Sequence, residues 1–317
     1  MRRRDFIAGG AAAMWPMAAR AQQPEWMRSI GVFSTLAADD PDSRPQIEAF
    51  LQGLAQLGWT DGRNVRIDYR WGSGRNADIR KSAAELAALA PDVILAVGGA
   101  SAVGPLLQAT HTVPVVFTYA SDPVAAGFVD SLARPGGNAT GFSSSEYSLS
   151  GKWLELLKQI APSVTRVAVL RNPDFPTGPG EFGVIQALAP SLRVEVNPVN
   201  VRDAGEIERG IASFARSSNG GFIVTGSALA LLHRDLIITL AARHKLPAVY
   251  YLREFVAAGG LISYGPSMVD HSRRAAGYVD RILKGENPAD LPVQVPTKFD
   301  RQSPRPHHPG NAVGNCR

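Results

Sequence analysis

The stretch Asp92-Val93-Ile94-Leu95-Ala96-Val97-Gly98-Gly99-Ala100-Ser101 decides how this chain folds. Residues 93–97 are an unbroken apolar run between a charged residue and a glycine pair, the pattern of a parallel strand buried on both faces. Gly98 and Gly99 let the backbone turn tightly and keep the strand's carboxyl end clear of side chains. Ser101 stands where a following helix begins, placed to cap it or to meet a ligand. In open α/β sheets that edge is where small molecules bind.

Working outward, the same strand-turn-helix unit recurs. Before it lie a strand at 29–33 ending in Ser34-Thr35, a helix at 45–57 with Ile47, Phe50, Leu51 and Leu54 at helical spacing, an alternating strand at 65–71 and a helix at 76–89. After it come a helix at 103–109 and a strand at 113–117 ending in Thr118-Tyr119-Ala120-Ser121-Asp122. At Gly136-Gly137-Asn138 the rhythm changes. Residues 139–142 read as the last strand of a first lobe and 143–147 as a crossing to a second. There a helix at 153–160 precedes a strand at 166–170 that ends in Arg171-Asn172-Pro173. Then follow a helix at 182–188, a strand at 194–199, a helix at 204–214, a strand at 221–224 and one long helix at 229–244. Strands at 247–250 and 261–263 and a helix at 270–283 complete the series. This alternation predicts an α/β protein of two doubly wound parallel-sheet lobes with a hinge and a shared cleft.

A chain of 317 residues with 45% hydrophobic and 19% charged residues can bury two cores. The formal net charge of +5 invites a nucleic-acid reading, but the excess sits at the ends. Setting aside Arg2, Arg3, Arg4, Arg20, Arg301, Arg305, Arg317 and Asp5 from the 33 basic and 28 acidic residues leaves 26 against 27. A body so nearly neutral predicts no nucleic-acid partner. Residues 1–21 read as an export signal, with a basic start, an apolar middle and Ala19-Arg20-Ala21 as the cleavage site. Arg3-Arg4-Asp5-Phe6-Ile7 resembles the twin-arginine export pattern, and an ordinary secretion signal with a strongly basic start fits as well. The mature chain is therefore expected outside the cytoplasm. One cysteine, Cys316, can form neither an internal disulfide nor a cysteine-based metal centre.

The residues that usually carry chemistry are poorly placed. His111, His233, His244 and His271 fall mostly in predicted helices, read as surface or helix-end positions, and His307 and His308 fall in the tail. No zinc-protease, nucleophile-elbow or phosphate-loop pattern is present. No catalytic residue, metal or cofactor is expected. What recurs at strand ends is a set of hydroxyls, Ser34, Thr35, Ser101, Thr118, Ser121 and Ser227, and of phenols, Tyr119, Tyr147, Tyr251 and Tyr264. Short donors and acceptors beside flat apolar walls suit a neutral or zwitterionic solute. Asp122 and Glu254 are the carboxylates near predicted strand ends, either one able to meet a ligand ammonium; turn capping is the other account of Asp122.

Long runs of the sequence resemble the extracytoplasmic substrate-binding proteins of bacterial ABC transporters, in the group that includes tryptophan- and tyrosine-binding members. The resemblance is carried by residues 142–153 (Phe-Ser-Ser-Ser-Glu-Tyr-Ser-Leu-Ser-Gly-Lys-Trp), 241–250 (Ala-Ala-Arg-His-Lys-Leu-Pro-Ala-Val-Tyr), 253–266 and 275–285, and it spans nearly the whole chain to Asp300. It implies a periplasmic-binding-protein type I-like fold with three crossings. Residues 29–143 and about 267–290 would form lobe one, and 144–266 with about 291–300 lobe two. It also implies a solute held by Ser34, Thr35, Gly99, Ser101, Thr118 and Tyr119 from one lobe and by Asn172, Ser227, Tyr251 and Tyr264 from the other. The implied partners are a small solute and a membrane permease, for a protein expected to be a monomer. An exported enzyme or a sensor-coupled binding protein using the same cleft remains the alternative. Residues 301–317, rich in Pro, His and Asn, depart from the family, as if the reading frame had changed near Asp300. That predicts an aberrant tail, an uncovered edge on the second sheet and, at the extreme, a poorly folding product.

Overall fold

The computed structural model describes residues 27–145, 147–296 and 300–303. The export segment at 1–21, residues 297–299 and the tail from Pro304, with Cys316, His307 and His308, lie outside the described residues.

The first lobe is built from β1 (Arg28–Ser34), α1 (Ser43–Gln56), β2 (Val65–Trp71), α2 (Asn76–Ala88), β3 (Val93–Val97), α3 (Ala100–Ala109), β4 (Val115–Ser121) and β5 (Ala139–Ser145). Its strands run parallel in the order β2-β1-β3-β4-β5. Every residue of β3 and β4 is buried, which is why their sequences do not alternate. The second lobe holds α4 (Ser150–Ile160), β6 (Arg166–Arg171), α5 (Thr177–Leu188), β7 (Glu195–Asn200), α6 (Ala204–Phe214) and β8 (Gly220–Val224). It continues with α7 (Ala228–Leu232), α8 (Arg234–Arg243), β9 (Ala248–Tyr250), α9 (Arg253–Ala257) and β10 (Ile262–Gly265). Its parallel strands, ordered β10-β9-β8-β6-β7, repeat the topology of lobe one. β11 (Asp300–Gln302) adds to them, antiparallel to β10.

After β10 the chain returns to lobe one as α10 (Met268–Leu283). Ala275, Ala276 and Val279 of this helix share a core with Ile47, Phe50 and Leu54 of α1. Trp59 Nε1 donates to Asp280 at 2.8 Å, fixing the helix from its far end.

Several expectations are corrected. The single helix predicted over 229–244 is two, α7 and α8, broken at His233. α5 begins at Thr177 rather than 182, and β4 runs on to Ser121, because its neighbours pair with these residues even where apolar periodicity stops. Leu291 does not mark a return to lobe two. It lies in the lobe-one core, Gln294 N donates to Gly141 O at 2.9 Å, and Ser143 N donates to Gln294 O at 2.8 Å. These bonds use backbone groups along the outer edge of β5 that would otherwise lack partners. Arg301 is not the start of a structureless tail, since β11 includes it, and the edge of β10 expected to be bare is paired there.

Candidate functional site

The carboxyl ends of the two parallel sheets face each other and enclose a cavity lined by residues of both lobes, the place where open α/β sheets bind small molecules. Lobe one supplies Ser34 and Thr35 after β1, the Gly98-to-Ser101 turn after β3, and Tyr119 and Ser121 from the end of β4. Lobe two supplies Thr177 at the start of α5, Gly226 and Ser227 after β8, and Tyr251 after β9.

Backbone geometry shapes this wall. Gly99 caps α3 with φ 63°, and a Cβ there would lie 2.7 Å from the Tyr119 carbonyl oxygen. At Gly98, φ 128°, a Cβ would come within 2.2 Å of Thr35 Oγ1. Only glycine gives both the left-handed turn and the close approach. The result brings the first amides of α3, at Ala100 and Ser101, to the cavity; such amides have no acceptor within their own helix and favour negative charge. Tyr119 itself has φ 63° and sits where the β4–β5 register shifts, a strained bulge that aims its ring across the cleft. Tyr119 OH donates to Tyr251 O at 3.3 Å, and Tyr251 OH donates to Ser227 O at 3.0 Å. Burial, with carboxylates nearby, pushes both phenols well above their ordinary pKa, so they stay neutral donors.

Eight residues proposed from the sequence line the cavity: Ser34, Thr35, Gly99, Ser101, Tyr119, Ser121, Ser227 and Tyr251. The others, Tyr147 among them, do not line it. Thr118 is fully buried behind the wall and its hydroxyl donates to Ala96 O at 3.3 Å. Asp122 caps a turn, accepting from Ala125 N at 3.0 Å, and Asn172 accepts from Asp174 N at 3.0 Å in the same way. The short polar side chains satisfy their own turns first. Tyr264 packs on the lobe-two core, and its carbonyl accepts from Trp153 Nε1 at 2.9 Å. Glu254 stands in the first turn of α9, its pKa raised chiefly by burial, with Oε2 buried and without a hydrogen bond. His271, read as a helix-end residue, is 2% exposed and packs against the rings of Tyr119 and Phe142. Burial drives its pKa down to about 4.

Three features escaped sequence reasoning. Gln46, on α1, donates from Nε2 to Asp42 O at 2.8 Å while its buried Oε1 has no partner, leaving an acceptor in the cavity wall. Arg234 of lobe two pairs with Asp42 of lobe one across the cleft. Glu181 of α5 is 2% exposed and accepts from Gly226 N at 3.0 Å and from Ser121 Oγ at 3.3 Å. A signal for it existed, because an α5 beginning at Thr177 puts Glu181 on the same buried stripe as Gly178 and Ile185. Among the described residues, none that lines the cavity is formally charged.

The chain is similar to several known proteins. A tyrosine-binding protein from Clostridioides difficile is 25% identical over 266 residues, 84% of this chain and 75% of that one. The solved structure of an ABC domain in complex with L-Trp from Streptococcus pneumoniae covers 86% of this chain and 90% of its own, with 24% identity and a TM-score of 0.78. The ligand-free, open structure of a substrate-binding protein with adhesive properties from Clostridium difficile covers 86% and 91%, at 25% identity and a TM-score of 0.61. Residues 30–301 match the family described as ABC transporter substrate binding protein, and the chain belongs to that family.

Proposed function

We propose that this protein is the extracytoplasmic solute-binding component of an ABC importer. It takes a neutral or zwitterionic solute with a flat apolar body, an aromatic amino acid first among them, and presents it to a membrane permease. The observation that carries this reading is the wall of the interlobe cavity: hydroxyls, helix-end amides and tyrosines, with no formally charged side chain. A solute carboxylate suits the α3 amides and Ser101. An ammonium or ring N–H suits Gln46 Oε1, and an aromatic body suits the space beside Tyr119, Tyr251, Leu231 and Met268. The names of the tyrosine-binding relative and of the L-Trp complex support the same solute class. Export, with cleavage after Ala21, follows from the leader, and no helix among the described residues is long and apolar enough to cross a membrane.

The test is a thermal-shift screen of amino acids, sugars and small organic acids, with the added compound recovered afterwards. At a hundredfold excess over Kd an aromatic L-amino acid should raise Tm by roughly 5 °C and be recovered unchanged. Conversion of the compound to a product sinks the carrier reading in favour of an enzyme. A shift by sugars alone sinks the choice of solute.

A further inference from the structure

Glu181 is the one carboxyl group among the described residues that joins both lobes immediately behind the cavity wall. It belongs to lobe two, and its two hydrogen-bond donors both line the cavity: Gly226 N–H from lobe two, at 3.0 Å from Oε2, and Ser121 Oγ from lobe one, at 3.3 Å from Oε1. Ser121 is in turn 2.8 Å from the hydroxyl of Ser144, on the strand that leads into the first crossing. Among the described residues Glu181 has no ion-pair partner. A buried carboxylate needs a cation or two to three strong donors, and charge-assisted hydroxyl bonds run about 2.5–2.7 Å. One amide and one long hydroxyl contact fall short of that, so the arrangement suits a neutral acid. On the reading that the cleft opens between the lobes, opening would separate Ser121 of lobe one from Glu181 of lobe two and let water reach the carboxyl group.

We propose that Glu181 is a proton-linked latch between the lobes: closing the cleft over a solute buries it as the neutral acid and takes up one proton. The inference rests on the reading that the cleft closes on a solute. The titratable groups that face Glu181 are phenols, Tyr119 from β4, Tyr147 from the crossing and Tyr251 after β9, each raised above its ordinary pKa. Tyr147 also faces Asp122. Phenols so raised stay neutral between pH 5 and 8 and leave Glu181 as the group that titrates. Its pKa is pushed up to about 7 by burial, against an ordinary value of 4.5. Because the closed-state pKa is the higher one, closure is favoured at low pH and weakens as pH rises through 7. Linkage over that interval makes solute binding about tenfold weaker at pH 8 than at pH 6.

Two measurements on the full mature chain test this. Infrared difference spectra of wild type against Glu181→Gln at pH 6, with saturating L-tryptophan, should show a protonated carboxylic acid band that the variant and solute-free wild type both lack; no such band once the probe is bound overturns the proposal. Calorimetry with L-tryptophan as probe, in two buffers of different ionisation enthalpy, should show uptake of close to one proton and the tenfold loss from pH 6 to 8, with both absent in E181Q. A pH profile unchanged by E181Q overturns the latch. Should E181Q fail to fold, zero proton uptake by wild type does the same. Absence of L-tryptophan binding at either pH sinks the solute assignment instead, and the infrared and proton-uptake measurements are then decided with the compound that raises Tm in the thermal-shift screen.

Discussion

The two lobes repeat one strand order, yet their rims at equivalent turns work differently. In lobe one the β3–α3 turn is capped by Gly99, whose missing side chain leaves the first amides of a ten-residue helix open to the cavity. In lobe two the β8–α7 turn is capped by Ser227, whose Oγ accepts from Ala230 N at 3.0 Å, and the helix beyond it is only five residues long. A hydroxyl used on its own helix has one fewer lone pair for a ligand, and a one-turn helix has little dipole to offer. Lobe one therefore supplies the polar grip beside Tyr119, and lobe two supplies Tyr251 together with the buried acid behind the wall.

The difference extends to buried titratable groups, where the largest effects are expected. His271, on the lobe-one side of the cleft, has a pKa lowered to about 4 by burial, then by Arg274. Its stabilising contribution is complete above the unfolded value of 6.5 and is lost as pH falls toward 4. Glu181, on the lobe-two side, has the opposite sign: its contribution is complete below 4.5 and is lost as pH rises toward 7. Each spans about 3 kcal/mol, so they nearly cancel in the wild type between pH 4.5 and 6.5. Removing either should expose the other. With saturating solute to hold the cleft closed, denaturant unfolding of Glu181→Gln should show stability rising with pH across that window, and His271→Phe should show it falling. Parallel profiles for both variants would break the assignment of one buried group to each side.

The glycines come next. Gly99→Ala forces a Cβ against the Tyr119 carbonyl at a positive φ and should cost about 1–3 kcal/mol of stability along with solute binding. Gly226→Ala meets nothing nearer than Thr177 Cγ2 at 3.5 Å, ordinary contact, and should change stability by roughly 0.5 kcal/mol or less. Equal losses measured by chemical denaturation would mean that the two rims are built alike.

This contrast explains what could be read in advance. The Val93–Val97 run with its two glycines carries both fold class and cavity edge, because burial on both faces and a side-chain-free turn are local demands that a short stretch must meet. The strand-end hydroxyls were visible for the same reason. Whether each hydroxyl turns to the cavity or to its own backbone was not visible, since Thr118 and Ser101 look alike until the register of β4 against β3 is known. Glu181, Gln46 and the Asp42–Arg234 pair depend on how one lobe lies over the other. Their partners are 45 to 192 residues away, or absent in the case of Gln46 Oε1, and no local period encodes that. The route of residues 291–295 along β5 escaped for the same reason.

The Asp42–Arg234 pair bears on closure itself. Both side chains are about 15% exposed, 16% for Arg234 and 14% for Asp42, so the pair lies between surface and core. Asp42→Asn should weaken solute binding by roughly 1 kcal/mol, the upper range for pairs in contact with solvent, and the loss should shrink at high salt. An effect on Tm equal to that on affinity would assign the pair to folding rather than to closure.

The smallest effects separate the two phenols. Tyr119 OH crosses the cleft to Tyr251 O at 3.3 Å, a long bond between lobes, whereas Tyr251 OH reaches Ser227 O at 3.0 Å within lobe two. A net hydrogen bond contributes about 0.5–1.5 kcal/mol, with the long one at the lower end. Tyr119→Phe should therefore weaken solute affinity about twofold while leaving Tm almost unchanged, because the bond exists only when the lobes are closed. Tyr251→Phe should lower Tm by a degree or two, since the bond it loses holds a loop of one lobe to itself whether the cleft is open or closed. If Tyr119→Phe moved Tm and Tyr251→Phe moved only affinity, the assignment of the Tyr119 bond to closure and of the Tyr251 bond to the fold of lobe two would have to be reversed.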